Sequence, residues 1–182
     1  MSKEKADSIK MQRCEDAMKM LQTEVTQIRD NCCEFLWCID NWQVKMEHAR
    51  NGIDKSICSD PFYSHRNGYK MCMQLDFGVD LFGDARLSLH LHILRSELDN
   101  ILEWPFRHEI TFELLNQETR LPHFSTIVKA SDNPNSVKWK KPTKEKNPGI
   151  YFNWFISVSE LSSTAALCKD NQMCIKVSPK IK

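Results

Sequence analysis

The sequence predicts a mainly β protein, an antiparallel β-sandwich behind an N-terminal coiled-coil helix. Three observations predict it. Up to residue 32, apolar positions recur every three or four residues, the spacing of one helix face. From residue 33 to 182, apolar residues instead alternate with polar ones in several short runs, the period of half-buried strands. Turn-forming dipeptides and prolines separate those runs, as a sandwich requires.

In the first segment the repeat runs through Met11, Cys14, Met18, Leu21, Val25, Ile28 and Cys32. These are the a and d positions of about three heptads. Glu24 falls at a g position and Arg29 at the following e, a pair able to cross between helices. So short a coiled coil is marginal alone. Self-association aided by contacts of the globular part is therefore expected.

The strands follow in order. Phe35, Trp37 and Ile39 alternate with Glu34, Leu36 and Cys38 in a first strand that Asp40-Asn41 ends. Residues 43 to 58 are mixed, and Asn51-Gly52 has the composition of a hairpin turn. Pro61-Phe62-Tyr63 and the turn dipeptide Asn67-Gly68 lead into the central strand, residues 69 to 77. There Met71, Met73, Leu75 and Phe77 take one face, and Cys72, Gln74 and Asp76 the other. That polar face is expected to read whatever the protein binds. After a loop from Gly78 to Arg86, Leu87, Leu89, Leu91 and Ile93 alternate with Ser88, His90 and His92 in a hairpin partner.

Leu98, Ile101 and Leu102 have helical spacing, and Trp104-Pro105-Phe106 forms a rigid corner. Ile110, Phe112 and Leu114 mark another strand. Residues 130 to 149 are irregular and rich in Pro and Lys. Residues 150 to 158 are strongly β-forming, and Met173, Ile175 and Val177 close the chain with a last strand.

The totals bound the function. A chain of 182 residues accommodates one ordinary domain plus a short appendage. A net charge of +1 gives no general field for nucleic acid or an anionic membrane. No apolar run approaches the roughly 18 residues of a membrane span, so no membrane insertion is expected. Met1-Ser2-Lys3-Glu4-Lys5 runs into charged sequence without the apolar stretch of a signal peptide. The eight cysteines are accordingly expected to be reduced and mostly buried as small apolar residues. No Cys-x-x-Cys or Cys-x-x-His pair suggests zinc, and neither a metal nor a cofactor is expected.

The chain resembles the MATH domain, also called TRAF-C, of the tumour necrosis factor receptor-associated factors. The resemblance is carried by Phe35-Leu36-Trp37-Cys38-Ile39 and by Pro61 through Cys72, above all Gly68-Tyr69-Lys70-Met71-Cys72. It continues in Leu87-Ser88-Leu89-His90, Leu102-Glu103-Trp104-Pro105-Phe106, Ile110 through Gln117, and Lys169-Asp170-Asn171. It covers roughly residues 34 to 178, and the heptad segment stands where the family keeps a coiled coil.

The resemblance implies a sandwich of about eight strands, ordinary for the class. It implies a cytoplasmic homotrimeric signalling adaptor that binds short extended peptides of receptor tails or adaptor proteins along a sheet edge. No RING or zinc-finger cysteine pattern is present, so the chain is not expected to be a ligase or any other enzyme. The implied peptide-binding set is Gln74, Asp76, Asp80, His90, Ser136, Ile150 and Phe152.

Several of these depart from the family pattern. Members that read acidic peptides present an Arg and, two residues later, an aromatic where this chain has Gln74 and Asp76. A Gln carries no charge and an Asp repels a carboxylate. One serine of a cluster of three survives, as Ser136, and Ile150 and Phe152 stand where some members carry two aromatics. A ligand side chain that is neutral or basic near Asp76 is expected.

Rival readings are weaker. A His90–His92–Asp76 metal site competes with plain surface histidines. A Cys72–His90 nucleophile pair lacks an orienting group. Lys138, Lys140, Lys141, Lys144 and Lys146 with Trp139 read as a solvated loop rather than a nucleic-acid surface. A scaffold that no longer binds peptide, and a substrate adaptor for ubiquitination, remain as alternatives.

Overall fold

The computed structural model describes residues 11–22, 34–79, 84–132 and 135–180, without the side chains of Ser131, Asn153 and Trp154. Residues 11–22 form a helix, α1. Met11, Cys14, Met18 and Leu21 of the heptad stripe lie on it, all exposed. The stripe's remaining positions, Val25, Ile28 and Cys32, lie outside the described residues, as do Glu24 and Arg29.

The sandwich is built from nine described strands: β1 (Phe35–Ile39), β2 (Ser56–Cys58), β3 (Phe62–Tyr63), β4 (Lys70–Val79), β5 (Ala85–Ile93), β6 (Glu109–Leu115), β7 (Pro122–Lys129), β8 (Ile150–Ser157) and β9 (Met173–Lys180). One sheet runs β1-β9-β6-β7. The other runs β2-β4-β5-β8, with β3 also on β4. All pairings are antiparallel.

Alternation decides the core. Met71, Met73 and Leu75 of β4 and Leu87, Leu89 and Leu91 of β5 are fully buried. So are Ile110, Phe112 and Leu114 of β6 and Met173, Ile175 and Val177 of β9. Each such side chain contributes roughly 1.5–3 kcal/mol by leaving water. The rings of Phe112 and Phe152 meet across the sheets, 4.5 Å between centres. Trp37, Phe62, Tyr69 and Phe106 are also buried, and Trp104 packs against them. Tyr69 meets Trp104 and Phe106 edge-on at 5.1 and 4.8 Å, and its hydroxyl donates to the Glu103 carbonyl.

Two local expectations are corrected, and one element is added. Asn51-Gly52 does not turn a hairpin; it ends a helix, α2 (Trp42–Arg50). Gly52 N–H donates to Ala49 O and Ile53 N–H to His48 O, and Gly52 takes a φ of 72°. This pair of bonds closes a helix C-terminus around a left-handed residue. Trp42 and Met46, one turn apart, bury the inner stripe of α2. Next, the loop from Gly78 to Arg86 is shorter than expected, because Gly78 pairs with Arg86 and Val79 with Ala85. Finally, residues 158 to 163 form a short helix, α3 (Val158–Ser163), started by the Ser157 hydroxyl accepting from Glu160 N.

At the turn before β4, Asn67 carries the positive φ, 66°. Gly68 is needed for space instead. An added Cβ would stand 2.3 Å from His65 Nδ1 and 2.4 Å from Ser64 Oγ, the oxygen that accepts from Tyr69 N. Gly52 is the reverse case, strained in φ with open space around it. In urea unfolding, Gly52→Ala costs about 1 kcal/mol for its backbone. Gly68→Ala costs more, about 2–3 kcal/mol, by overpacking and by displacing the Ser64 hydroxyl. Equal losses at the two positions would show that Gly68 has room to spare.

Candidate functional site

The outer face of the second sheet gathers the polar side chains. Cross-strand pairing sets Gln74 opposite His90, Asp76 opposite Ser88, and His90 opposite Tyr151 on β8. Asp76 is held twice. Its Oδ1 accepts from Gln74 Nε2 at 2.9 Å, and its Oδ2 lies 3.2 Å from His90 Nε2. The Gln74 carbonyl in turn accepts a long bond from Cys58 Sγ, 3.9 Å. The imidazole of His90 meets the Tyr151 ring edge-on at 4.5 Å, and Lys138 Nζ stands 4.3 Å from the centre of that ring, in cation–π range.

A second layer holds this row in place. His92 Nδ1–H donates to the Asn147 carbonyl at 3.0 Å. The Asn147 side-chain amide donates to the carbonyls of Lys138 and Lys140, at 3.1 and 2.7 Å. Its backbone N–H donates to Ile93 O. Asn147 thus ties the lysine-rich loop to β5 and fixes where Lys138 emerges. Gly149 passes so close that a Cβ there would stand 2.9 Å from His92 Cε1. Beneath it, His92 Nε2 is buried with no hydrogen-bond partner among the described residues.

Burial first pushes the pKa of His90 down; Asp76 opposes this and Lys138 reinforces it. His92 is pushed down by burial, against the Asn147 carbonyl and with help from Lys146 and His90. Both imidazoles therefore favour the neutral form. The Cys72 thiol is pushed up, chiefly by burial, which holds it protonated and unreactive. Pairing places Cys72 opposite His92, so the Cys72–His90 pair considered from the sequence is not formed across the strands. Among the described residues no group of three or more His, Cys, Asp or Glu is placed to hold a metal ion.

Of the sequence-derived set, Gln74, Asp76 and His90 come together. Asp80 lies outside the described residues. Ser136 caps the turn Val137–Trp139, its hydroxyl accepting from Lys138 N at 3.3 Å. Ile150 and Phe152 do not reach the outer face. They pair with Leu91 and Leu89, whose side chains point into the core, and so share that direction. Tyr151, 55% exposed, occupies the outer position between them.

Sequence reading missed Tyr151, Lys138 and Asn147. Tyr151 had a usable signal, since the residue paired with an outward His90 must itself face outward. Trp139 is buried and stacked on Phe106, 5.6 Å between centres, so it offers no platform for a base. In the second sheet β8 pairs only with β5 among the described strands, which leaves its other edge without a strand beside this polar row.

A family model of the TRAF/meprin MATH domain matches residues 54–176. TNF receptor-associated factor 5 of Mus musculus is 34% identical over 147 residues, covering 80% of this chain and 26% of its own length. TNF receptor-associated factor 1 of Homo sapiens is 35% identical over 144 residues, covering 78% of this chain and 34% of its own. The chain thus spans only about a quarter to a third of these curated relatives. The solved structure of Notothenia coriiceps TRAF5 shares the fold, with a TM-score of 0.75 at 24% identity over 95% of this chain and 89% of that one.

An NMR pH titration tests the electrostatics. His90 and His92 titrate below the ordinary 6.5. Asp76→Asn lowers the His90 midpoint further, because it removes the charge that favours imidazolium. Folded midpoints below 6.5 mean that the unfolded chain binds more protons there. Stability from these groups is therefore intact above pH 6.5 and declines as pH falls through their folded midpoints. An upward shift of His90 in Asp76→Asn would refute this assignment.

Proposed function

The chain belongs to the tumour necrosis factor receptor-associated factor family, with a TRAF/meprin MATH domain over residues 54–176, and from that membership we propose that it is a cytoplasmic signalling adaptor that binds short linear peptides. The observation that carries the proposal is the row Gln74–Asp76–His90–Tyr151 on the outer face, next to the edge of β8 that pairs with no described strand. An extended segment adds to that edge by backbone hydrogen bonds, and its side chains are read by the row. The relatives are named for association with TNF receptors, and tails of such receptors or their adaptors are the ligand class that follows.

The row sets the ligand's chemistry. Asp76 is the only anion in it, so a carboxylate arriving there is repelled, whereas a hydroxyl, amide or ammonium donates to it. The proposed chemistry is binding without turnover, in keeping with a Cys72 thiol held protonated by burial. Each such site is weak. In this reading the heptad stripe containing Met11, Cys14, Met18 and Leu21 joins copies into a homotrimer, so that clustered tails are held by avidity.

A second reading has one observation in its favour. Gln74, Asp76 and His90 already satisfy one another. A ligand must repay those bonds, and a pure scaffold never needs to.

The test is a peptide array probed with the full chain and with Gln74→Ala/Asp76→Ala. The wild type binds a set lacking acidic side chains opposite Asp76, and the double variant binds that set at least ~10-fold more weakly, as for loss of a central contact. A folded, oligomeric wild type that binds nothing would leave the scaffold reading in its place.

A further inference from the structure

On the first sheet, Cys38 of β1 stands directly opposite Cys174 of β9. It is the only cross-strand cysteine pair among the described residues. Their neighbours in register, Trp37 with Ile175 and Ile39 with Met173, point into the core, so both thiols lie on the outer face of this sheet. Directly opposite residues stand about 4.5 or 5.5 Å apart at Cα, according to the type of pair. A disulfide accepts about 4.4–6.8 Å, so either case fits without moving the backbone. The two side chains are already in hydrogen-bond contact, and Cys174 Sγ also donates to Gln172 Oε1 at 3.4 Å.

We propose that Cys38 and Cys174 form an oxidisable dithiol, closed by peroxide into a reversible disulfide that staples the edge strand β1 to β9. The two thiols take different roles. Cys38 is half-buried and is the one peroxide reaches; Cys174 is 6% exposed. In the first step the Cys38 thiolate attacks the peroxide O–O bond, giving a sulfenic acid and hydroxide. In the second the Cys174 sulfur attacks the Cys38 sulfur. The S–S bond forms, the S–O bond breaks, and the proton of Cys174 leaves with the hydroxyl as water. Two thiols and one peroxide thus yield one disulfide and two waters, and a free dithiol reverses the step by exchange.

The second step is the slower. Burial, and then the contact with Cys38, pushes the Cys174 thiol up to about 12. Only the thiolate attacks, so the yield at fixed time rises with pH. Cys168, pushed up to about 11 by burial, lies close enough to act on Cys174 but has no register partner among the strands. Cys58 and Cys72 are paired with Gln74 and His92 rather than with each other, so they serve as internal controls.

The full chain is treated with hydrogen peroxide at pH 7 and pH 9, alkylated, and mapped by mass spectrometry without reduction. The expected result is a Cys38–Cys174 linked peptide in most molecules, more at pH 9, removed by dithiothreitol. A closed loop of this length raises the thermal midpoint by roughly 5–15 °C. Cys38→Ser abolishes the linkage and the shift; because that side chain is half-buried, the variant remains folded and can be checked by its own midpoint. The proposal is overturned if Cys38 ends as a sulfinic acid beside an alkylated Cys174. Linkage to Cys168 or to a second chain, or two intact thiols after treatment, overturns it equally.

Discussion

The register of β4 against β5 is the constraint on which the rest depends. Met73 pairs with Leu91 and Leu75 with Leu89, and all four are fully buried. Between them Gln74 must pair with His90 and point the other way. Core and candidate site are thus two faces of one ladder. A slip of one residue would bury Gln74 and Asp76 and expose the methionines, at a cost of several buried apolar side chains. The core energy therefore decides which way Gln74, Asp76 and His90 face. The β5–β8 ladder is looser. Its register shifts between Leu87 and Leu89, and beyond the shift Phe155 and Ile156 are both buried.

That division explains what the sequence revealed. β1, β4, β5, β6 and β9 each alternate buried apolar residues with less apolar ones, and period 2 located them, although Cys72, His90, His92 and Cys174 on the second faces are themselves buried. β7 was not located, because it is an edge strand exposed along most of its length and has no apolar face to alternate. α2 was hidden behind Asn51-Gly52, a dipeptide that serves hairpins and helix ends alike. It provides φ above zero in both, and only the preceding bonds distinguish them. β8 was located, but not its facing. Ile150, Tyr151 and Phe152 are apolar or aromatic at both parities, so its own pattern cannot say which side is inward. Pairing with β5 decides that, and it selects Tyr151 for the surface.

The site's polar chemistry was partly legible for the same reason. Gln74, Asp76 and His90 follow from alternation plus adjacency of strands. Lys138 and Asn147 come from a segment with no periodicity at all, and nothing local in the sequence predicts their position. Their order is imposed by tertiary bonds. Phe106 N–H donates to Trp139 O, Trp139 stacks on Phe106, and Asn147 ties Lys138 and Lys140 to the end of β5. An irregular stretch whose backbone groups are satisfied in this way is as fixed as a strand.

His90 therefore sits between charges of opposite sign supplied by unlike means. Asp76 comes from a strand whose facing the core enforces, and Lys138 from a loop that one buried amide enforces. Burial keeps the imidazole neutral, and the cation beside it reinforces that against the carboxylate. A neutral His90 donates Nε2–H to Asp76 and leaves the carboxylate its full charge, where an imidazolium would cancel it. Lowering Lys138's influence would favour imidazolium and weaken the local anion. The loop lysine thus acts with burial, and against the carboxylate, in holding His90 neutral, and Asn147 fixes the backbone from which that lysine emerges.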